Sequence, residues 1–179
     1  MNTIKDKALE KIWDDFEDLA GLTIRQMKSL SKVLISDKSS ISDGILNKMI
    51  EKENRLDEFE VKISRRIVNA IIMHHPMASE LRSIMACYRM LTTLERIGDL
   101  VMKAVSLIAK NHDTDLLVKN AKGINKMLIM STKMLQKAII SFIDHDIEAA
   151  MWTIKNDSVI NTMNHKLLND LLEEADFTD

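Results

Sequence analysis

Proline occurs once and glycine four times in 179 residues. A many-stranded protein needs far more turns than that, so the chain reads as helical throughout, in keeping with its abundant Leu, Ile, Met, Lys and Glu. The one cysteine, Cys87, excludes an internal disulfide. Nowhere do about twenty apolar residues run together, so no segment has the make-up of a membrane-spanning helix. The opening MNTIKDKALEKIWDDFEDL has no continuous apolar stretch of the secretory kind, and a cytoplasmic protein is expected. A formal charge of −2, with Lys and Arg scattered among acids, supplies no basic field for nucleic acid. Neither G-x-x-x-x-G-K-S/T nor G-x-G-x-x-G occurs, which removes the common nucleotide-binding loops.

What the chain has is apolar residues at three and four residue intervals, 46% hydrophobic overall and enough for a core without staples. Polar clusters interrupt the pattern at SDKSSISD (36–43), HHP (74–76), KNHDTD (110–115) and DHD (144–146). The spacing predicts five helices, at 4–36, 42–73, 77–110, 114–143 and 146–174. Ser42 or Asp43 is suited to cap the second, and Pro76 to the first turn of the third, where its missing N–H would be unpaired anyway. Short connections make consecutive helices antiparallel neighbours, and lengths near 30 residues, about 45 Å each, describe an elongated bundle. The thirteen methionines, at helical spacing, read as core fillers.

MIEKENRLDEFEVKISRRI (49–67) can be laid over TIKNDSVINTMNHKLLNDL (153–171), so that Ile50 meets Ile154, Glu53 meets Asp157 and Ile63 meets Leu167. This weak internal repeat suggests a three-helix unit that starts again in the second half.

Carboxylates interrupt the apolar tracks of two helices. In the third, the stripe through Leu81, Ile84, Met85, Tyr88 and Leu91 runs into Glu95, Gly98 and Asp99 before resuming at Met102, Val105 and Ala109. In the second, Leu46, Met49 and Ile50 lead to Glu53, Asp57 and Glu60 before Ile63 and Ile67. Acids on a seam are costly unless compensated, and like charges one turn apart repel. A cation held by these oxygens is one compensation. With no His or Cys beside them, the donor set suits a hard ion, iron(III), Mn²⁺, Mg²⁺ or Ca²⁺. The other reading is a solvated face salt-bridged by Lys52, Arg55 and Lys62. Gly98 in mid-helix costs about 1 kcal/mol relative to Ala, which a close neighbour or an ion would explain. His74 and His75 read as a turn, Cys87 as a buried inert thiol, and Trp13 and Trp152 as core or groove anchors.

HPMASELRSIMACYRMLTTLERIGDLVMKAV resembles the third helix of the PhoU family of phosphate-uptake regulators. Pro76, Ala78, Glu80, Leu81 and Arg82 match the opening of that helix, and Glu95, Arg96, Ile97, Gly98 and Asp99 its Glu-Arg-Ile-Gly-Asp motif. Glu53, Asp57 and Glu60 ahead of Val61 resemble the family's acidic motif on the second helix, and the likeness covers most of 40–175. The resemblance implies an all-α fold of tandem three-helix bundles, here a first bundle over 1–111 and a second over 112–179 that lacks its last helix. It implies metal ions, iron, manganese or magnesium, on Glu53, Asp57, Glu95 and Asp99, with Glu60 as an extra ligand. It also implies regulation by binding, without catalysis: such proteins restrain a phosphate transporter and relay phosphate sufficiency to a membrane sensor histidine kinase.

This sequence departs from the pattern in its second repeat. Only Asp157 keeps its acid there; Asn161 and Asn164 stand where Asp57 and Glu60 stand in the first, so a second metal site is expected to be missing or weak. An unpaired fourth and fifth helix would expose an apolar groove that invites a homodimer or a partner helix, unless the chain is a fragment of a longer one. The alternatives are a PhoU-like accessory domain of a sodium-phosphate cotransporter, and a metal-free helical adaptor whose acids face Arg65, Arg66 or Arg96. A carboxylate-bridged oxidase of the ferritin-like kind would need Glu-x-x-His pairs, and none accompanies Glu53 or Glu95.

Overall fold

A computed structural model describes residues 3–36, 43–111 and 115–176. These residues form five α-helices and no strand: α1 (Ile4–Leu34), α2 (Asp43–His74), α3 (Ser79–Asn111), α4 (Asp115–Ile143) and α5 (Ile147–Asp176). No helix among them is long and apolar enough to cross a membrane. The chain divides into two compact units, one of Met1–Gln26 with Ile41–Leu107, the other of Met27–Ser40 with Ile108–Asp179.

Local chemistry sets the helix ends. Thr3 and Asp6 form a reciprocal capping box at α1, Thr3 N donating to Asp6 Oδ2 (2.8 Å) and Asp6 N to Thr3 Oγ1 (3.2 Å). Asp146 caps α5 by accepting from Ala149 N at 3.0 Å. Ser42 lies outside the described residues, and Asp43 is the first residue of α2. The expectation for Pro76 needs correction: α3 starts at Ser79, and Pro76 sits buried in the turn ahead of it. His75 (φ 44°) and Ala78 (φ 48°) flank that turn in the left-handed region, which ends α2 before Pro76 and delays the start of α3.

In the first unit each helix turns a seam inward with alternating three and four residue steps. Ile12, Phe16 and Leu19 supply it from α1, Met49, Leu56, Ile63 and Ile67 from α2, and Ile84, Leu91, Leu94 and Val105 from α3, all at most 2% exposed. Cross-contacts fix the directions. Lys62 Nζ and Arg66 Nη1 reach the Asp15 carboxylate at 2.9 and 3.0 Å, while Gln26, later on α1, donates to Glu53, earlier on α2, so α2 runs antiparallel to α1. Lys5 Nζ meets Glu80 Oε1 at 2.7 Å, which sets α3 parallel to α1.

The α3 seam keeps Ile84, Leu91 and Val105 of the stripe expected from sequence and departs from it elsewhere. Met85 and Tyr88 are 43% and 39% exposed, whereas Cys87 and Leu94 are inside. Cys87 is the buried inert thiol expected, its pKa pushed up to about 12 by burial.

In the second unit α4 and α5 run antiparallel: Leu167 Cδ1 would touch a Cβ on Gly123 at 3.4 Å, and Lys133 Nζ lies 4.8 Å from the Trp152 ring centroid. Ser31 Oγ, from the part of α1 that belongs to this unit, donates to Asn125 Oδ1 at 2.6 Å.

Candidate functional site

Half-way along the first unit the seam turns polar on two helices and vanishes on the third. On α2, Glu53 and Glu60 take successive inward steps between Met49, Leu56 and Ile63, and both are half-buried. On α1, Thr23 and Gln26 take the corresponding steps and are fully buried. On α3 the step between Leu94 and Val101 is Gly98, buried, with half-buried Glu95 and Asp99 on either side of it.

These positions meet. A Cβ on Gly98 would stand 2.7 Å from Leu56 Cδ1 and 2.9 Å from Glu53 Oε2. Any Cβ there would have to push these side chains aside, so glycine lets the Glu53 carboxylate lie against the α3 backbone. Gln26 Nε2 donates to Glu53 Oε2, while Glu53 Oε1 and Gln26 Oε1 are buried without a hydrogen-bond partner.

The electrostatics record one neighbourhood of acids. Burial raises the Glu53 pKa above its ordinary value; the Gln26 hydrogen bond works against this, and the charges of Asp57, Asp99 and Glu95 add to it. Glu95 is likewise raised, first by burial and then by Asp99, Asp57 and Glu60, against the pull of Lys103. Lys103 Nζ lies 3.6 Å from Asp99 Oδ2 in an exposed i,i+4 pair, a weak compensation. Lys62 and Arg66, expected among the partners of these acids, are engaged by Asp15 of α1 instead.

Five of the sequence-derived site residues, Glu53, Asp57, Glu60, Glu95 and Asp99, thus share one electrostatic neighbourhood in the first unit. Asp157 belongs to the other unit, exposed on α5, where its Oδ2 accepts from Asn161 Nδ2 at 3.2 Å. Sequence reasoning missed Gln26. Its signal was present: Thr23 and Gln26 interrupt the apolar track of α1 as Glu53 interrupts that of α2.

As the side chains stand, no three His, Cys, Asp or Glu among the described residues are disposed to hold one ion. The donor set is nevertheless all hard oxygen, one buried carboxylate oxygen lacks a partner, and the Glu53 carboxylate itself fills the space above Gly98. A hard cation fits the layer by chemistry. Asp57 is exposed and the Asp99 side chain 48% exposed, so neither is locked in place by packing.

An all-helical bundle with a carboxylate layer around a mid-helix glycine defines a class of acidic-motif bundle proteins. The chain belongs to the PhoU family: the family model described as PhoU domain matches residues 16–108, just over half of the chain, from α1 through the acidic layer to the end of α3. A protein of Aquifex aeolicus named "Phosphate-specific transport system accessory protein PhoU homolog" is 25% identical over 168 residues, 90% of this chain and 74% of that one. One of the same name from Burkholderia is 26% identical over 179 residues, 93% and 74% of the two chains. The crystal structure of PhoU from Pseudomonas aeruginosa matches with a TM-score of 0.79 at 20% identity, over 94% of this chain and 79% of that one, a likeness of fold.

Proposed function

We propose that this chain is a cation-binding regulator of phosphate uptake that works by docking, in the cytoplasm, on a phosphate transporter or on the sensor kinase of the phosphate-starvation response. The observation that carries the reading is the acidic layer around Gly98, which lies inside the segment matched to the PhoU family. The names of the relatives, accessory proteins of phosphate-specific transport, supply the process. In this reading Glu53, Asp57, Glu95 and Asp99 hold a hard cation, with Glu60 beside them, and the ion adds positive charge to the weak compensation that Lys103 gives. The protein's own residues do the rest. Gln26 orients Glu53, Gly98 lets it reach α3, and neutralised acids let α2 and α3 close into one fixed docking face. No step of this role requires catalysis.

A metal-free adaptor is the second reading, favoured by the absence of three converged ligands among the described residues. Metal content separates the two. Mass spectrometry of the purified protein beside Glu95→Ala/Asp99→Ala is expected to find metal in the first and not in the second; equal, negligible metal in both supports the adaptor. Deleting the gene is expected to change phosphate uptake, and unchanged uptake and starvation response would remove the regulatory role altogether.

A further inference from the structure

One end of the first unit gathers exposed apolar side chains from three elements. Ile4 opens α1, Ile72 and Met73 lie in the last turn of α2, and Met77 stands in the turn before α3; they are 80%, 60%, 71% and 76% exposed. The ion pair of Lys5 with Glu80 ties the start of α3 to the same end. Ile4 and Met73 share an open groove of about 450 Å³ between α1 and α2, with buried Ala70 among its lining. Behind these two residues the groove is cationic. Lys7 and Lys11 line it from α1 and Arg66 from α2, and no acid among the described residues does. Arg66 is fixed in place, its Nη1 donating to Lys11 O at 3.2 Å and meeting Asp15 Oδ2 at 3.0 Å. Lys7 and Lys11 are exposed, and their ammonium groups have no ion-pair partner among the described residues. The nearby acids are engaged, Asp6 in the cap with Thr3 and Glu80 with Lys5. Glu10 lies about 60° to 100° round α1 from the two lysines.

The order of these side chains along the helices indicates what covers them. At 1.5 Å per residue Lys7 and Lys11 lie about 5 and 10 Å behind Ile4, and Arg66 about 10 Å behind Met73. A bilayer met end-on presents its layers in that order. Apolar side chains reach about 5–10 Å into the boundary between headgroups and acyl chains, and cations stay at the level of the lipid phosphates. A partner helix lying in the groove would call for large apolar residues along its length. Here they are confined to the outer end, and Ile72 and Met77 lie outside the groove altogether. A small anion would satisfy the cations and leave all four apolar side chains in water. The chain as a whole, at a net charge of −2, is not drawn to an anionic surface, so attraction to one has to come from a local patch of this kind.

We infer that this end of the first unit docks directly on an anionic lipid surface, with Ile4, Met73 and Met77 entering the interface and Lys7, Lys11 and Arg66 set against lipid phosphates. The ligand is lipid itself, with no partner protein between, so the inference goes beyond the docking proposed above and is independent of the cation. It is tested with the full chain and protein-free vesicles, of phosphatidylcholine alone or in an equal mixture with phosphatidylglycerol, the bound fraction being read by sedimentation. Binding is expected on the mixed vesicles and to weaken as salt is raised. Lys7→Glu/Lys11→Glu should weaken it by about twentyfold or more, at about fivefold per cation, and Met73→Ser/Met77→Ser by about tenfold. Lys155→Glu/Lys166→Glu, the same change of charge in the second unit, should leave it nearly unchanged. All six positions are exposed, so helix content by circular dichroism is expected to hold throughout. Because Cys87 is buried, a polarity-sensitive dye on Met77→Cys reports from the turn alone, and its emission should shift to the blue on mixed vesicles. No binding to the mixed vesicles would overturn the proposal and leave the surface to an acidic segment of a partner protein. Equal loss in Lys155→Glu/Lys166→Glu, binding indifferent to the serine substitutions, or an unshifted dye would overturn it equally, by showing diffuse attraction without insertion.

Discussion

Glu53 is a carboxylate held where its charge is least welcome, with one oxygen bonded to Gln26 and the other buried and unpaired. Because its pKa is raised in the fold, the stability that goes with its protonated form is fully present below its ordinary value of 4.5 and is lost as the pH climbs through the raised one. In chelator near neutral pH, Glu53→Gln should therefore raise stability, on the order of 1 kcal/mol, since the amide is uncharged and offers an N–H to the orphan Gln26 Oε1. The advantage should shrink as the pH falls toward 4.5. Denaturant titration of both proteins across that range is the measurement. Contributions from acids with lowered pKa values, Asp6 and Glu80, are common to both and cancel in the difference. A substitution that destabilises at every pH would show that the carboxylate is already compensated within the chain. The acids were readable in the sequence because they break an apolar rhythm. Gln26 was not read, because an amide on a seam attracts less notice than a charge, although the physical cost of burying it is of the same kind.

Elements were legible where periodicity is long and strong: each of the five helices lies within a few residues of its predicted span. The misreadings came from alternatives that periodicity leaves open. A wide apolar face on α3 admits two tracks 100° apart, and the one through Met85 and Tyr88 is the flank, while that through Cys87 and Leu94 is the core. The start of α3 moved because left-handed backbone at His75 and Ala78 puts Pro76 into the turn, which no spacing rule foretells. Gly98 shows why the correct track matters. It sits on the core seam, so a methyl there meets buried Leu56 at 2.7 Å. Helix propensity favours Gly98→Ala by up to about 1 kcal/mol, but overpacking a closed seam costs about 1–3 kcal/mol. A net loss of about 1 kcal/mol is expected in thermal unfolding, with partial recovery when Leu56→Val makes room. A plain gain of the full helix propensity would mean that α2 and α3 do not approach as closely as described.

At the scale of the whole molecule, the sequence suggested a bundle that starts again after α3, and two compact units are found, with α1 contributing residues up to Gln26 to one and from Met27 to the other. Apolar periodicity alone does not disclose that division, because the α1 seam resumes at Met27, Leu30 and Val33 after the polar steps at Thr23 and Gln26. The division would make the proposed cation binding a local event. The clustered acids all belong to the first unit, whereas Asp157 stands exposed in the second with an asparagine as its neighbour. An ion that binds only the folded first unit stabilises it by mass action, by about 2.7 kcal/mol at a free concentration one hundred times its dissociation constant. Hydrogen exchange with and without Mn²⁺ should then show amides of α2 and α3 slowed by up to about a hundredfold where they exchange through opening of that unit. Amides of α4 and α5 should keep their rates. Equal slowing in both units would point to diffuse binding along acidic helix faces, and unchanged rates in both would leave Glu53, Asp57, Glu95 and Asp99 as a purely structural polar layer, with Gly98 kept to let Glu53 into it.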